Sequence, residues 1–347
     1  MGDPADRSPA GGQTPTENAT PPGGQAPAPE QWAREPERGS EWLLRLMLRI
    51  AVTVGRRFAS LLLGPIALFF WLRTPGARAA SRDFLSRVWQ RPAGPLQSLR
   101  HYRVFAQTIL DRIYLLGDSS DQGFDIRVIG EPVMRQALAR GQGAFMVGAH
   151  LGSFEVLRAI GRRQPGLRVS MAMFEDNARK IGALLRSIDP RLELDVVALG
   201  RVDSMIEIQQ RLDQGHFVGF LADRSFKGDA VVQVPFFGQP APFPTGVFRM
   251  AAVLRQPVLM MAGLYRGGNR YEVYFDMLAD FSDVARGERA ARVEQAVARY
   301  AAQLEQHCRA APFNWFNFYD FWGAPAGDPP DQDCTQHELP ARRDAGH

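Results

Sequence analysis

Only two cysteines, Cys308 and Cys334, occur in the 347 residues, too few for a disulfide framework. Neither they nor the six scattered histidines have the spacing of a zinc site, so no metal is expected. Lysine is almost missing: Lys180 and Lys227 are the only two, and the net charge of +4 rests on arginine. There is no lysine-rich tail and no alternation of basic and aromatic residues, which argues against nucleic acid as a partner and leaves a membrane surface or acidic substrates. Residues 1–38 lack large apolar groups apart from Trp32, and also lack the basic start and apolar core of a secretory signal. They read as a disordered tail, as do residues 324–347.

The chain also lacks an uninterrupted run of about 20 apolar residues, the length needed to cross a bilayer. Its most apolar part, residues 42–73, is broken by Arg56 and Arg57, and the second half, Phe58 to Leu72, contains Pro65. Arg73, Arg78, Arg82, Arg87 and Arg91 follow. This pattern predicts an embedded or re-entrant helical anchor over residues 39–80 with its basic flank on the cytoplasmic side, against the alternative of a buried core helix pair.

Beyond it, helical periodicity over Ser81–Leu116, broken at Pro92–Pro95, precedes a regular alternation of strands and helices. Strands are predicted at Phe124–Ile129, Ala144–Val147, Arg168–Met173, Val196–Leu199 and Phe217–Leu221, with helices at Pro132–Ala139, after Ser153, at Asn177–Ile188 and at Ser204–Leu212. Val258–Tyr265 and Arg270–Phe275 flank Gly267-Gly268-Asn269 as a hairpin, and residues 288–308 form an amphipathic helix. The fold class is therefore α/β: one domain, residues 81–323, with a central mixed, largely parallel sheet flanked by helices, plus the N-terminal anchor.

Gly143 to Arg163, GAFMVGAHLGSFEVLRAIGRR, holds the most chemistry. A short apolar strand delivers His150, and Glu155 follows five positions later. In one continuous helix these side chains would diverge by about 140°. With His150 in a loop, Ser153 as N-cap and Glu155 in the first helical turn, the carboxylate can reach back and make the imidazole a directed general base. The same residues also fit a structural histidine and a dipole-complementing acid. Asp223 and Arg224 end the apolar strand Phe217–Leu221, where open α/β sheets place ligand groups, although such a pair also occurs as a plain surface ion pair. Phe236, Phe237 and Gly238 lead to Thr245 and Gly246 at a helix start, an amide-rich terminus suited to a carbonyl or phosphate oxygen. The phenylalanines fit an acyl-chain channel or the core.

His150-Leu-Gly-Ser-Phe-Glu155 resembles the H-x-x-x-x-D/E motif of the lysophospholipid acyltransferase superfamily, and more closely the bacterial lipid A biosynthesis (late) acyltransferases, including relatives encoded with aryl-polyene lipid pathways. The likeness runs from about Gly39 to Gly323 and includes the Asp223-Arg224 block, Pro235-Phe-Phe-Gly238, Pro244-Thr-Gly246 and the aromatic ending APFNWFNFYDFW. The Glu-Gly-Thr-Arg phosphate motif of the glycerolipid branch is absent. The resemblance implies His150 as base and Glu155 as its support, with Asp223, Arg224, Phe236, Phe237, Gly238, Thr245 and Gly246 around the substrates. It further implies an acyl carrier protein or coenzyme A thioester as donor, a hydroxyl of a membrane glycolipid as acceptor, no other cofactor, and the cytoplasmic face of the inner membrane as location. One departure is Met173-Phe-Glu-Asp-Asn177, where the family usually carries an arginine suited to an anionic acceptor; either Arg179 or Lys180 of the following helix substitutes for it, or a less anionic glycolipid or aryl-polyene head group comes into view. A thioesterase, with water in place of the acceptor, and a catalytically silent lipid-binding protein are the other readings. No Gly-x-Ser-x-Gly elbow is present to support a serine hydrolase.

Overall fold

A computed structural model describes residues 55–116, 123–163, 166–175, 179, 195–201, 203–225 and 228–323. Both tails, the first part of the apolar segment, and all but Arg179 of the helix expected over 177–188 lie outside the described residues.

Seven strands form one sheet in the order β1-β9-β8-β2-β5-β3-β4. They are β1 (Asp125–Ile129), β2 (Ala144–Gly148), β3 (Val169–Phe174), β4 (Val196–Leu199), β5 (Phe217–Leu221), β8 (Pro257–Tyr265) and β9 (Arg270–Asp280). Every neighbouring pair is parallel except β8 with β9, the hairpin predicted from its glycines. The expected mixed, largely parallel α/β architecture is thus present. Strand β2 is wholly buried and β5 nearly so, and both are almost purely apolar because helices cover both faces of the sheet.

Helices α1 (Arg56–Arg73), α2 (Pro75–Trp89) and α3 (Pro95–Leu116) precede the sheet; α4 (Glu131–Ala139), α5 (Val156–Arg163), α6 (Ser204–Asp213), α7 (Gly246–Leu254) and α8 (Arg289–Ala310) alternate with it or follow it. One element was not expected: β6 (Val231–Phe236) and β7 (Gln239–Pro244) pair as a separate antiparallel ribbon where the sequence reads as a loop. Its two-residue turn is Phe237-Gly238, both with positive φ (52° and 79°), the backbone of a type I′ hairpin made without the usual Asn-Gly.

No single described helix is long and apolar enough to cross a bilayer; α1 and α2 meet at a 103° bend. Helix α1 is not a core helix either. Ala59, Leu63 and Ala67, spaced four apart, form its only buried stripe, while Phe58, Leu61, Leu62, Leu68, Phe69 and Leu72 are exposed. Its first residue is firmly held. Arg56 donates through Nε and Nη2 to Asp111 on α3 at 2.8 Å each, and Gln107 and Tyr271 also donate to that carboxylate at 2.8 Å. The Asp111 side chain is fully buried, and these donors supply the partners that a charge taken out of water requires.

Candidate active site

Strands β2 and β5 lie side by side with Gly148 opposite Leu221. Two residues beyond each partner stand His150 and Asp223, so the register carries both to the carboxyl end of the sheet. The loop after β2 is pressed onto β8: Gly152, at φ 64°, bridges Gly263, and a Cβ on either residue would collide with the other segment's backbone carbonyl.

His150 is bound to Asp223 twice, through Nδ1 to Oδ1 at 2.8 Å and through its backbone N–H to Oδ2 at 3.0 Å. The Trp315 indole donates to the same Oδ2 at 2.9 Å. Burial pushes the Asp223 carboxyl up, but the His150 contact, Arg224 and the indole outweigh it and hold the group well below the usual carboxylate range. An ionised carboxylate only accepts, so the shared proton sits on Nδ1 and leaves Nε2 with its lone pair. The His150 side chain is one-third exposed, at 33 %, which leaves the ring within reach of a substrate.

Glu155 is placed differently from the sequence expectation. Its carboxylate forms an ion pair with Arg112 of α3 at 2.6 Å and accepts the Ser153 hydroxyl at 2.9 Å, and it makes no hydrogen bond to His150. Ser153 therefore does not cap α5, which starts at Val156, directly after Glu155. The carboxylate on the imidazole comes from the neighbouring strand, 73 residues away.

The remaining expected residues divide. Arg224 lies beside Asp223, donates to the Phe316 carbonyl at 3.3 Å, and stands over the Tyr319 ring at 5.5 Å, with its buried Nε unpartnered. Phe236 and Phe237 are buried. Phe236 lies against Trp315 at 5.4 Å and Phe237 against Phe84 at 5.9 Å, so both belong to the aromatic core behind the site. Gly238 completes the β6-β7 turn. The Thr245 hydroxyl donates to the Ala230 carbonyl and so does not cap α7, whose helix begins at Gly246.

Three contributors were missed. Trp315 holds Asp223; Tyr300 donates to the Gly148 carbonyl at 2.8 Å, fixing the end of β2; and His101 donates from Nε2 to the Trp315 carbonyl at 2.9 Å. The aromatic ending stood out in the sequence, but nothing in it marked Trp315 as the ring with a polar task.

A histidine with one nitrogen fixed by a buried carboxylate and the other free, at the mouth of an α/β sheet, is equipped to take a proton from a hydroxyl. Residues 30–323 match the family described as bacterial lipid A biosynthesis acyltransferase. The chain belongs to that family. The match covers the sheet, the site and the aromatic ending, and it supports acyl transfer of the lipid A type as the general activity. No curated protein matches the sequence.

Proposed function

We propose that the protein transfers a fatty acyl group from an acyl carrier protein or coenzyme A thioester to a hydroxyl of a membrane glycolipid, at the cytoplasmic face of the inner membrane. The observation that carries this reading is the His150–Asp223 pair in a chain of an acyltransferase family. His150 Nε2 removes the hydroxyl proton, the oxygen attacks the thioester carbonyl, and the resulting oxyanion collapses with loss of the thiolate, which takes the proton back from the imidazolium. An ester bond forms, a C–S bond breaks, and no covalent enzyme intermediate is needed. Asp223 stabilises the imidazolium as it forms. Arg224, next to Asp223 and with one N–H unpartnered, is suited to the oxyanion, a role worth roughly 10²–10³ in rate for a single donor. Glu155, tied to Arg112 and Ser153, holds the loop that carries the base.

The exposed apolar residues of α1 support membrane attachment, because a stripe of this size beside arginines suits the lipid–water boundary. The protein should sediment with membranes and resist release by salt; recovery as a soluble monomer without detergent would remove this part of the proposal. The family supports a lipid A-like acceptor, while Met173-Phe-Glu-Asp-Asn177, which has no arginine, favours a less anionic or aryl-polyene head group. Radiolabelled acyl thioester incubated with protein and membrane lipid extract separates the readings: labelled lipid supports transfer, free fatty acid a thioesterase, and neither a silent lipid-binding protein.

A further inference from the structure

The segment after α8 does more than close the core. Leu151 and Trp315 form an antiparallel bridge, Phe316 N–H donates to the His150 carbonyl at 2.7 Å, and Gly152 N–H donates to the Asn314 carbonyl at 2.8 Å. The loop that carries the base is therefore read, residue by residue, against Asn314 to Phe316. We infer that Trp315 is a positioning residue for acyl transfer, its indole N–H fixing the Asp223 oxygen not used by the His150 ring, and that the buried His101 holds Trp315 in place. This rests on the reading of His150 as base.

The geometry separates the two oxygens of the carboxylate. Oδ1 meets the imidazole, and Oδ2 accepts both the His150 backbone N–H and the indole. Two donors on Oδ2 stop the carboxylate from turning, which keeps Oδ1 on Nδ1 and the imidazole in one tautomer. The indole fills its buried pocket with its rings and spends its N–H on Asp223. Trp315 is surrounded by Phe84, Phe236 and Phe321 at 4.9–5.4 Å, ring contacts that do not use its N–H.

Trp315 is itself held by hydrogen bonds that all run one way. The Trp71 indole of α1 donates to Ser98 (3.2 Å), Ser98 donates to Ser81 (3.0 Å), Ser81 donates to His101 Nδ1 (3.0 Å), and His101 Nε2 donates to the Trp315 carbonyl (2.9 Å). Complete burial lowers the His101 pKa to about 4, so the ring is neutral with its proton on Nε2, the state this chain requires. The chain links the apolar helix to the loop of His150 without passing through His150, Asp223 or Arg224.

The test is Trp315→Phe, assayed for transfer of radiolabelled acyl groups from acyl carrier protein and coenzyme A thioesters to membrane lipid extract, with His150→Ala alongside. The expected result is a kcat about ten-fold lower with KM for the donor nearly unchanged, since a charge-assisted hydrogen bond acts on the base and not on thioester binding. Asp223 faces His150, Arg224, Tyr300 and Cys308, and the substitution leaves all of them in place. His101→Phe should give a smaller kcat loss, about three-fold, with the same unchanged KM. Should Trp315→Phe fail to fold, 3-benzothienylalanine at position 315 keeps the ring shape and removes only the N–H. A kcat within two-fold of the parent, with His150→Ala inactive, would overturn the positioning role while leaving the base intact. Full activity in His150→Ala would instead overturn the reading on which it rests.

Discussion

Among the described residues, two histidine–aspartate pairs lie at opposite ends of the parallel strands. At the carboxyl end, His150 and Asp223 follow β2 and β5. At the amino end, His216 precedes β5 and Asp195 precedes β4, with Ser170 near the start of β3, so that a serine, a histidine and an aspartate are within hydrogen-bonding distance. The second cluster has the composition of a nucleophilic triad but not its wiring. Ser170 Oγ and Asp195 both address the same ring nitrogen, Nδ1, at 2.9 and 3.3 Å, and the serine hydroxyl lies 2.6 Å from the carboxylate, to which it donates. A working triad needs the serine and the acid on different nitrogens. Arg211 also neutralises Asp195 through two contacts of 3.0 Å, and burial lowers the proton affinity of His216. The amino-end cluster ties three strand starts together around an imidazole that is 10 % exposed, whereas the His150 side chain is 33 % exposed. Residue types alone do not distinguish them; the wiring of the ring and its access to a substrate do.

The largest difference should appear on removing each histidine. His150→Ala should lose roughly 10²–10⁴-fold in acyl transfer, the usual contribution of a general base, while His216→Ala should keep its activity per folded molecule and show a lower melting temperature. Equal activity losses would erase the distinction between the two ends. Next come the acids. Asp223→Asn should cost roughly 10²–10³-fold in kcat, and His150→Ala combined with it should be little worse than His150→Ala, because the two act as one unit. Asp195→Asn should again appear in thermal unfolding and not in kcat.

A third histidine sharpens the comparison through pH. The His101 pKa lies at about 4 in the folded protein against an ordinary 6.5, so between these values the unfolded chain binds a proton that the folded one refuses. Stability is full above pH 6.5 and falls as pH drops towards 4, by about 3 kcal/mol in all. His216, also lowered, acts in the same direction. Denaturant titrations at pH 7 and pH 4.5 should show the loss, and His101→Gln should shrink it; an unchanged pH dependence in that variant would mean that His101 is not the group responsible. The depressed Asp223 adds a further loss only at pH values below the ordinary carboxylate range. The smallest effect is expected at Glu155. Glu155→Gln keeps an acceptor for Ser153 and weakens a part-exposed ion pair with Arg112, so kcat should fall less than about ten-fold. A loss larger than that of Asp223→Asn would show that Glu155, not Asp223, serves the base.

The legible and illegible parts of this chain divide along a physical line. The apolar runs of β2, β5 and β8 and the glycine hairpin between β8 and β9 are local patterns, so the sheet could be read from them. The β6-β7 ribbon was missed because a Phe-Gly turn is not a recognised hairpin pair and prolines interrupt both strands. His150 could be singled out from its loop, and Asp223 from its place after a buried strand. Their partnership could not, because it follows from the register of β2 against β5, a long-range property that spacing does not encode. Glu155 looked like the partner because it is near in sequence, but Arg112, from a different helix, engages it.

The clamp at the start of α1 bears on any attempt to prepare this enzyme in a detergent-free form. The exposed leucines and phenylalanines invite truncation of the whole helix, yet Arg56 would leave with them, stranding the fully buried Asp111 with neutral donors only. Breaking a buried pair from one side costs about 3–5 kcal/mol, a large share of what holds a typical domain together. Solubilisation is better sought by exchanging Leu61, Phe69 and Leu72 for polar residues while Arg56 stays in place, since the greasy side of this helix and its structural side are different sets of residues.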